Sequence, residues 1–191
     1  MASAEPPSSV EEQLLELLLE RAPTLGTTRL LVIDGPSGSG KTTLRDRVVA
    51  TAEARGTGVA VVHMDDLYGG WDGLRPSGHR LREQLLEPLS QGRPGHHRRY
   101  DWLRGEHAEE LTVPVTDVLV VEGVGSWRRA HADRVTVLVW VEAPRDVRLE
   151  RVLRRDGPEI EPELRRWQPQ EDALHAEEGT REHADLVVLV P

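Results

Sequence analysis

Residues 29–43 read Arg29-Leu30-Leu31-Val32-Ile33-Asp34-Gly35-Pro36-Ser37-Gly38-Ser39-Gly40-Lys41-Thr42-Thr43. The opening run is apolar enough to be a buried strand, and Gly35 to Thr42 fit the spacing G-x-x-x-x-G-K-[ST]. In that pattern the N–H groups of the loop turn inward around phosphate oxygens, and the helix that follows presents its positive end to the same anion. Gly35, Gly38 and Gly40 permit turns and close approaches that a Cβ would obstruct. Pro36, Ser37 and Ser39 complete the loop. Lys41 is expected to reach the β- and γ-phosphates, the Thr42 hydroxyl to ligate Mg²⁺, and Thr43 to open the helix behind them. Lys41 is also the only lysine of the chain, although Lys and Arg together number 24. With the glycine and Ser/Thr usage of this sequence, such surroundings for one lysine arise by chance about once in a thousand chains. The strand before it and a helix expected over 42–55 give the motif its confirming context, so a nucleoside-triphosphate site using ATP and Mg²⁺ is expected.

The rest of the composition narrows the setting. A chain of 191 residues suits one domain with a substantial core. Its 33 acidic residues outweigh its basic ones to give a net charge of −9, which disfavours nucleic acid as a partner. Cysteine is absent, which removes disulfides, thiolate zinc sites and cysteine nucleophiles together. The first residues lack a basic targeting segment and no apolar run approaches the roughly 18 residues of a membrane span, so a soluble, cytoplasmic protein without a membrane partner is expected.

Further continuous apolar runs at 58–64, 117–121, 135–141 and 185–190 read as parallel strands covered on both faces. Helical stretches are expected at 79–90, 126–133, 144–156 and 160–178. The alternation predicts an α/β fold, a doubly wound, mostly parallel five-stranded sheet flanked by helices. Residues 1–9 read as an unstructured tail, and 10–21 as a leucine-rich helix ended by Pro23. Its leucines would cover the sheet, with contact to a second copy in a homo-oligomer left open. Residues 1–28 thus precede a domain over 29–191. Residues 91–114 are the least regular part and fall within an expected acceptor-binding insertion, about 66–114.

Ligands of open parallel sheets sit beyond the carboxyl ends of the strands, which gives weight to acids placed there. Asp65 and Asp66 follow the second strand, and Glu122 follows the run at 117–121. Phosphoryl transfer needs a metal to offset phosphate charge, a group to orient or deprotonate the acceptor, and cationic donors. Thr42, Glu122 and Asp65 form the candidate metal set. Asp65 also suits the acceptor hydroxyl, with Asp66 ranked second. Among the arginines expected on the helix at 144–156, Arg148, Arg151 and Arg155 share a face, and Arg151 and Arg155 are the preferred functional pair.

Several blocks, in order, resemble the uridine kinase family of P-loop small-molecule kinases. Residues 35–43 match its phosphate loop, Asp65-Asp66-Leu67-Tyr68 its D-x-[FY]-Y segment, and Tyr100-Asp101-Trp102 its Y-D-[FW] segment. Val121-Glu122-Gly123 matches its V/F-E-G block, and 148–156 its R-L-x-R-x-x-x-R-D lid helix, with a lid region over about 151–165. The resemblance implies a P-loop kinase fold and phosphoryl transfer from ATP to a small-molecule hydroxyl. It makes Asp65 the acceptor base, places Tyr68 and Tyr100 in the acceptor pocket, and closes Arg151 and Arg155 over the phosphates. Asp66 and Arg148 complete the candidate acceptor-side residues. After Tyr68 the chain reads Gly69-Gly70-Trp71-Asp72, where the family has Asp-His-Pro. A nucleoside therefore leads as acceptor, with a sugar or vitamin precursor as the alternative. A GTP switch is excluded by the lack of any N-K-x-D motif, and an ATP-hydrolysing module without an acceptor is the remaining rival.

Overall fold

The computed structural model describes residues 9–191. Along the chain come α1 (Val10–Glu20), β1 (Arg29–Asp34), α2 (Lys41–Ala54), β2 (Val59–His63), α3 (Met64–Leu67) and α4 (Leu74–Arg80). A π-helical turn (Leu81–Leu86), α5 (Glu87–Ser90), β3 (Gly95–Asp101), β4 (Glu106–Val113) and β5 (Val118–Glu122) follow. A 3₁₀ segment (Arg129–Arg134), β6 (Val137–Glu142), α6 (Arg145–Asp156), α7 (Glu161–Glu178), α8 (Thr180–His183) and β7 (Leu186–Leu189) complete it.

The apolar runs pair into one parallel sheet of order β2-β5-β1-β6-β7. Its central strands are apolar throughout because both faces are covered. Leu31 and Ile33 of β1 share one face with Val118, Val120, Val137 and Val139, under Leu14 and Leu18 of α1 and Leu44 and Val48 of α2. Leu30 and Val32 share the other with Leu119, Val121 and Leu138, under Leu74, Leu81, Leu85 and Leu89 and under Leu164, Trp167 and Leu174 of α7. Each buried leucine contributes about 1.5–3 kcal/mol of transfer free energy. Because the α1 leucines are spent on the sheet, this helix presents no free leucine stripe. Ser9, expected in the tail, instead caps α1: its hydroxyl accepts from the Glu12 amide while the Glu12 carboxylate accepts from the Ser9 amide. The reading of the tail before it lies outside the described residues.

Register brings the strand ends to one edge. Ile33 of β1 and His63 of β2 both pair with Glu122 of β5, so Asp34 follows one residue and Asp65 two residues beyond the level of Glu122. β1 sits between β5 and β6, where the strand order reverses and a crevice opens.

Two expectations are corrected. Residues 91–114 are not irregular: β3 and β4 form an antiparallel hairpin. Its strands are rich in His, Arg and Glu, so only the alternation of buried Gly95 and His97 with exposed His96 and Arg98 marks one packed face. The helix expected at 79–90 begins at Leu74, since Pro76 falls in the first turn, whose N–H groups have no intrahelical partners. It widens to π geometry ahead of Pro88.

Candidate active site

The loop of residues 35–40 can take no side chain at its critical turns. A Cβ on Gly35 (φ 146°) would lie 2.1 Å from the Val141 carbonyl oxygen, and one on Gly38 (φ 77°) 2.4 Å from that of Arg148. The loop is therefore clamped between β6 and the first turn of α6, and it delivers Lys41 as the first residue of α2. Lys41 is buried, its Nζ donating to the carbonyls of Gly35 (2.9 Å) and Pro36 (3.1 Å). A cleft of about 310 Å³ opens over this loop, lined by Ser37, Gly38, Gly40, Lys41, Thr42 and Thr43 and by Asp65, Glu122, Arg151 and Arg155. The sequence thus identified most of the cleft wall.

Thr42 Oγ1 donates to Glu122 Oε2 at 2.9 Å, joining the start of α2 to the end of β5. Asp65 is the second residue of α3, just beyond β2, and is open to solvent through the cleft. Protein walls strip part of its hydration and Glu122 adds repulsion, so its pKa is raised, against the pull of Lys41 and Arg155. Water in the open mouth screens part of this effect. Asp66 turns away: it lines no part of the cleft, and its Oδ2 lies 4.0 Å from His97 Nε2 in the hairpin. The donor set fits the groups the motif implies. A glycine cradle, a lysine held only by carbonyls, and a hydroxyl beside two carboxylates suit a polyphosphate with a hard cation that keeps several waters.

Behind the loop lies a shell that the sequence reading missed. Asp34 is fully buried and accepts from the amides of Gly35 (2.7 Å), Gly125 (2.9 Å) and Trp127 (3.0 Å), and from His175 Nε2 (3.1 Å). Burial alone would raise its pKa, but His175 and the amides outweigh it and hold the pKa low. Glu171, also fully buried, accepts from the Ser37 amide (3.0 Å) and hydroxyl (2.7 Å), and from Trp167 Nε1 (3.1 Å). α7 thereby holds the phosphate loop in shape through side chains 130 and 134 positions away in sequence. Glu171 and Trp167 lie one helical turn apart, which is the only local signal that could have paired them.

The arginines and tyrosines divide. Arg151 and Arg155 line the cleft as expected. Arg151 donates to the Pro191 carbonyl (2.6 Å), and Arg155 pairs with Asp156. Arg148 is buried instead, reaching Glu171 (3.2 Å) and the Ser37 carbonyl (3.3 Å), so it braces the loop from behind. Tyr68 is likewise withdrawn: it is 1% exposed, and its hydroxyl donates to the Val124 carbonyl at 2.7 Å. Both are corrected from acceptor-facing to supporting positions. Tyr100 stacks edge-on with Trp102, whose Nε1 donates to the Asp65 carbonyl at 3.2 Å, and Trp102 in turn meets Trp71. Trp102 is partly exposed, so an aromatic wall flanks the backbone of Asp65.

Comparison with known proteins bears on this arrangement. The structure is similar to that of a "possible uridine kinase" from Bacillus stearothermophilus, with 25% identity, a TM-score of 0.69 and 93% of this chain covering 96% of that one. It is also similar to a "putative fructose transport system kinase" from Silicibacter sp. TM1040, at 23% identity, a TM-score of 0.64 and coverage of 94% and 99%. A D-glycerate 3-kinase from Cryptococcus neoformans shares the fold at 15% identity and a TM-score of 0.56, over 92% and 89% of the two chains. No curated protein matches the sequence. The fold is thus that of P-loop small-molecule kinases, as the resemblance implied. A model of the AAA domain family matches residues 31–175, from inside β1 through the phosphate loop to His175, and the chain belongs to that family.

Proposed function

We propose that the protein transfers a phosphoryl group from ATP to a hydroxyl of a small molecule, with a nucleoside as the leading acceptor class and a sugar or vitamin precursor as the alternative. The observation that carries this reading is the position of Asp65. Its carboxylate opens into the cleft that Lys41, Thr42 and Glu122 line, and its backbone carries the Trp102 ring. An ATPase needs no such aromatic flank beside the acid. The possible uridine kinase among the structural neighbours supports a hydroxyl-bearing small molecule as acceptor.

MgATP supplies the electrophilic phosphorus and a metal that offsets phosphate charge. The amides of Gly38 and Gly40 and the Lys41 ammonium would hold the β- and γ-phosphates, while Thr42 and Glu122 would hold the cation with Asp65 nearby. Asp65, with its raised pKa, is suited to take the proton of the acceptor hydroxyl at Oδ. Arg151 and Arg155 supply N–H donors from the opposite wall. Tyr100, Trp102 and Trp71 offer flat apolar faces against which a base or sugar ring packs. The acidic net charge fits an enzyme acting on small molecules and not on nucleic acid. Incubation with MgATP and a panel of nucleosides, sugars and vitamin precursors, followed by mass spectrometry, tests this. A product one phosphoryl group heavier is expected for one acceptor class, and ADP without any such product contradicts the reading.

A further inference from the structure

A second cavity, of about 330 Å³, lies between the β3–β4 hairpin and the helical run at 80–84, and shares no lining residue with the phosphate-loop cleft. Arg80, Gln84, His97, Arg98, His107 and Glu110 contribute to its wall. Arg80 donates to the Leu67 carbonyl (2.7 Å), and Arg98 to the carbonyls of Ala108 (2.9 Å) and His107 (2.8 Å). Neither forms an ion pair among the described residues, whereas the adjacent Arg99 pairs with Glu109 (2.8 Å) and with Asp101.

His97 points the same way. It is 4% exposed, and neither ring nitrogen has a hydrogen-bond partner. The nearest acid, Asp66, lies at 4.0 Å, beyond hydrogen-bond reach. The Nδ1 of His107 is buried and unpartnered as well. Glu110 lines the same wall and stands opposite Arg98 in the hairpin register, but it is mostly exposed, contacts His96 at 3.8 Å, and forms no ion pair with either guanidinium. Leaving a buried imidazole without a partner costs free energy that a bound acceptor atom would recover. Two guanidiniums without an ion pair among the described residues, beside such imidazoles, match the oxygens of a carboxylate or phosphate in geometry and charge.

We propose that this cavity binds a small oxyanion, the carboxylate or phosphate group of a metabolite, with Arg80 and Arg98 as charged donors and His97 as the buried one. The anion is either an acidic group carried by the phosphoryl acceptor itself or a separate effector. Asp66 touches this cavity's wall and Asp65 the other cleft, so α3 joins the two sites.

The test is NMR of the ¹⁵N-labelled histidine rings during titration with inorganic phosphate and with malonate, in saturating ADP to occupy the phosphate loop. Saturable shifts of the His97 and His107 signals are expected. Arg80→Gln and Arg98→Gln should each weaken them by about tenfold, while Lys41→Ala leaves them unchanged. Absence of saturable shifts, or shifts indifferent to both substitutions, overturns the proposal. Because these signals report on the second cavity directly, failure of nucleotide binding and failure here are read separately. Kinetics then distinguish the sources. If the anion belongs to the acceptor, Arg98→Gln raises KM for an acid-bearing acceptor and spares its neutral analogue. If it is an effector, phosphate changes the rate without competing with the acceptor.

Discussion

Asp34 ends β1, Asp65 follows β2 on the far side of β5, and their opposite pKa shifts separate a supporting residue from a chemical one. The pKa of Asp34 is lowered, so its ionised form contributes stability that is present above the ordinary carboxylate range and is lost as pH falls through the folded-state value. Asp34→Ala strands three buried amides and His175 and should cost about 3–5 kcal/mol in urea unfolding at neutral pH, with a smaller loss in acid. An equal loss at both pH values would contradict this assignment. The pKa of Asp65 is raised, so the folded state binds its proton more tightly than the unfolded chain, and stability falls as pH rises through that interval. Asp65→Asn removes this burden, and its Tm at neutral pH should equal or exceed that of the parent, the gap closing on acidification. A clearly lower Tm would show that Asp65 is structural. Asp65 was legible because an acid directly after an apolar run is placed by the run. Asp34 was not, since its partner His175 is 141 positions away.

At the scale of elements, the phosphate loop depends on glycine for two separable reasons. Gly38 combines a positive φ with a backbone oxygen 2.4 Å from where a Cβ would stand, whereas Gly56 has φ 75° and open space around it. Gly56→Ala should therefore cost only the conformational term, about 1 kcal/mol, and leave nucleotide binding unchanged. Gly38→Ala must displace α6 or the loop itself, and should lower Tm further while abolishing ADP binding by calorimetry. Similar losses from both substitutions would mean that the loop is not clamped as described. The strands β1, β5 and β6 and the helix α7 were legible because both-face burial and helical periodicity write themselves into composition. The hairpin was hidden because its buried face is made of Gly95 and His97, whose packing depends on the helical run beneath it. Tyr68 was misplaced for a related reason: a segment match gives position along the chain, and Val124 decides where the hydroxyl points.

For the whole molecule, the five-stranded sheet is the rigid part, and the groups aimed at the nucleotide come from five elements around its edge: the phosphate loop, α2, α3, β5 and α6. A nucleotide bridging them binds only the folded state. It should stabilise by about 2.7 kcal/mol at a concentration one hundred times Kd, which for a chain of this size is a rise in Tm of roughly 5–11 °C. Lys41→Ala should abolish the rise, and a rise that survives would place the nucleotide elsewhere. The order of blocks along the sequence carried the fold to the right kinase class, because strand order and phosphate loop are encoded locally. The wall proposed for the acceptor was not legible in the same way, since it is assembled from α3, the hairpin and the segment around Trp71.

The most direct test of the central claim is ADP formation by the purified protein with MgATP, with and without the acceptor panel, for the parent and for Asp65→Asn. Acceptor-dependent turnover is expected, falling by about 10²-fold or more in Asp65→Asn while ATP binding persists. ADP formation at the same rate without any acceptor, and unaffected by the substitution, would contradict it.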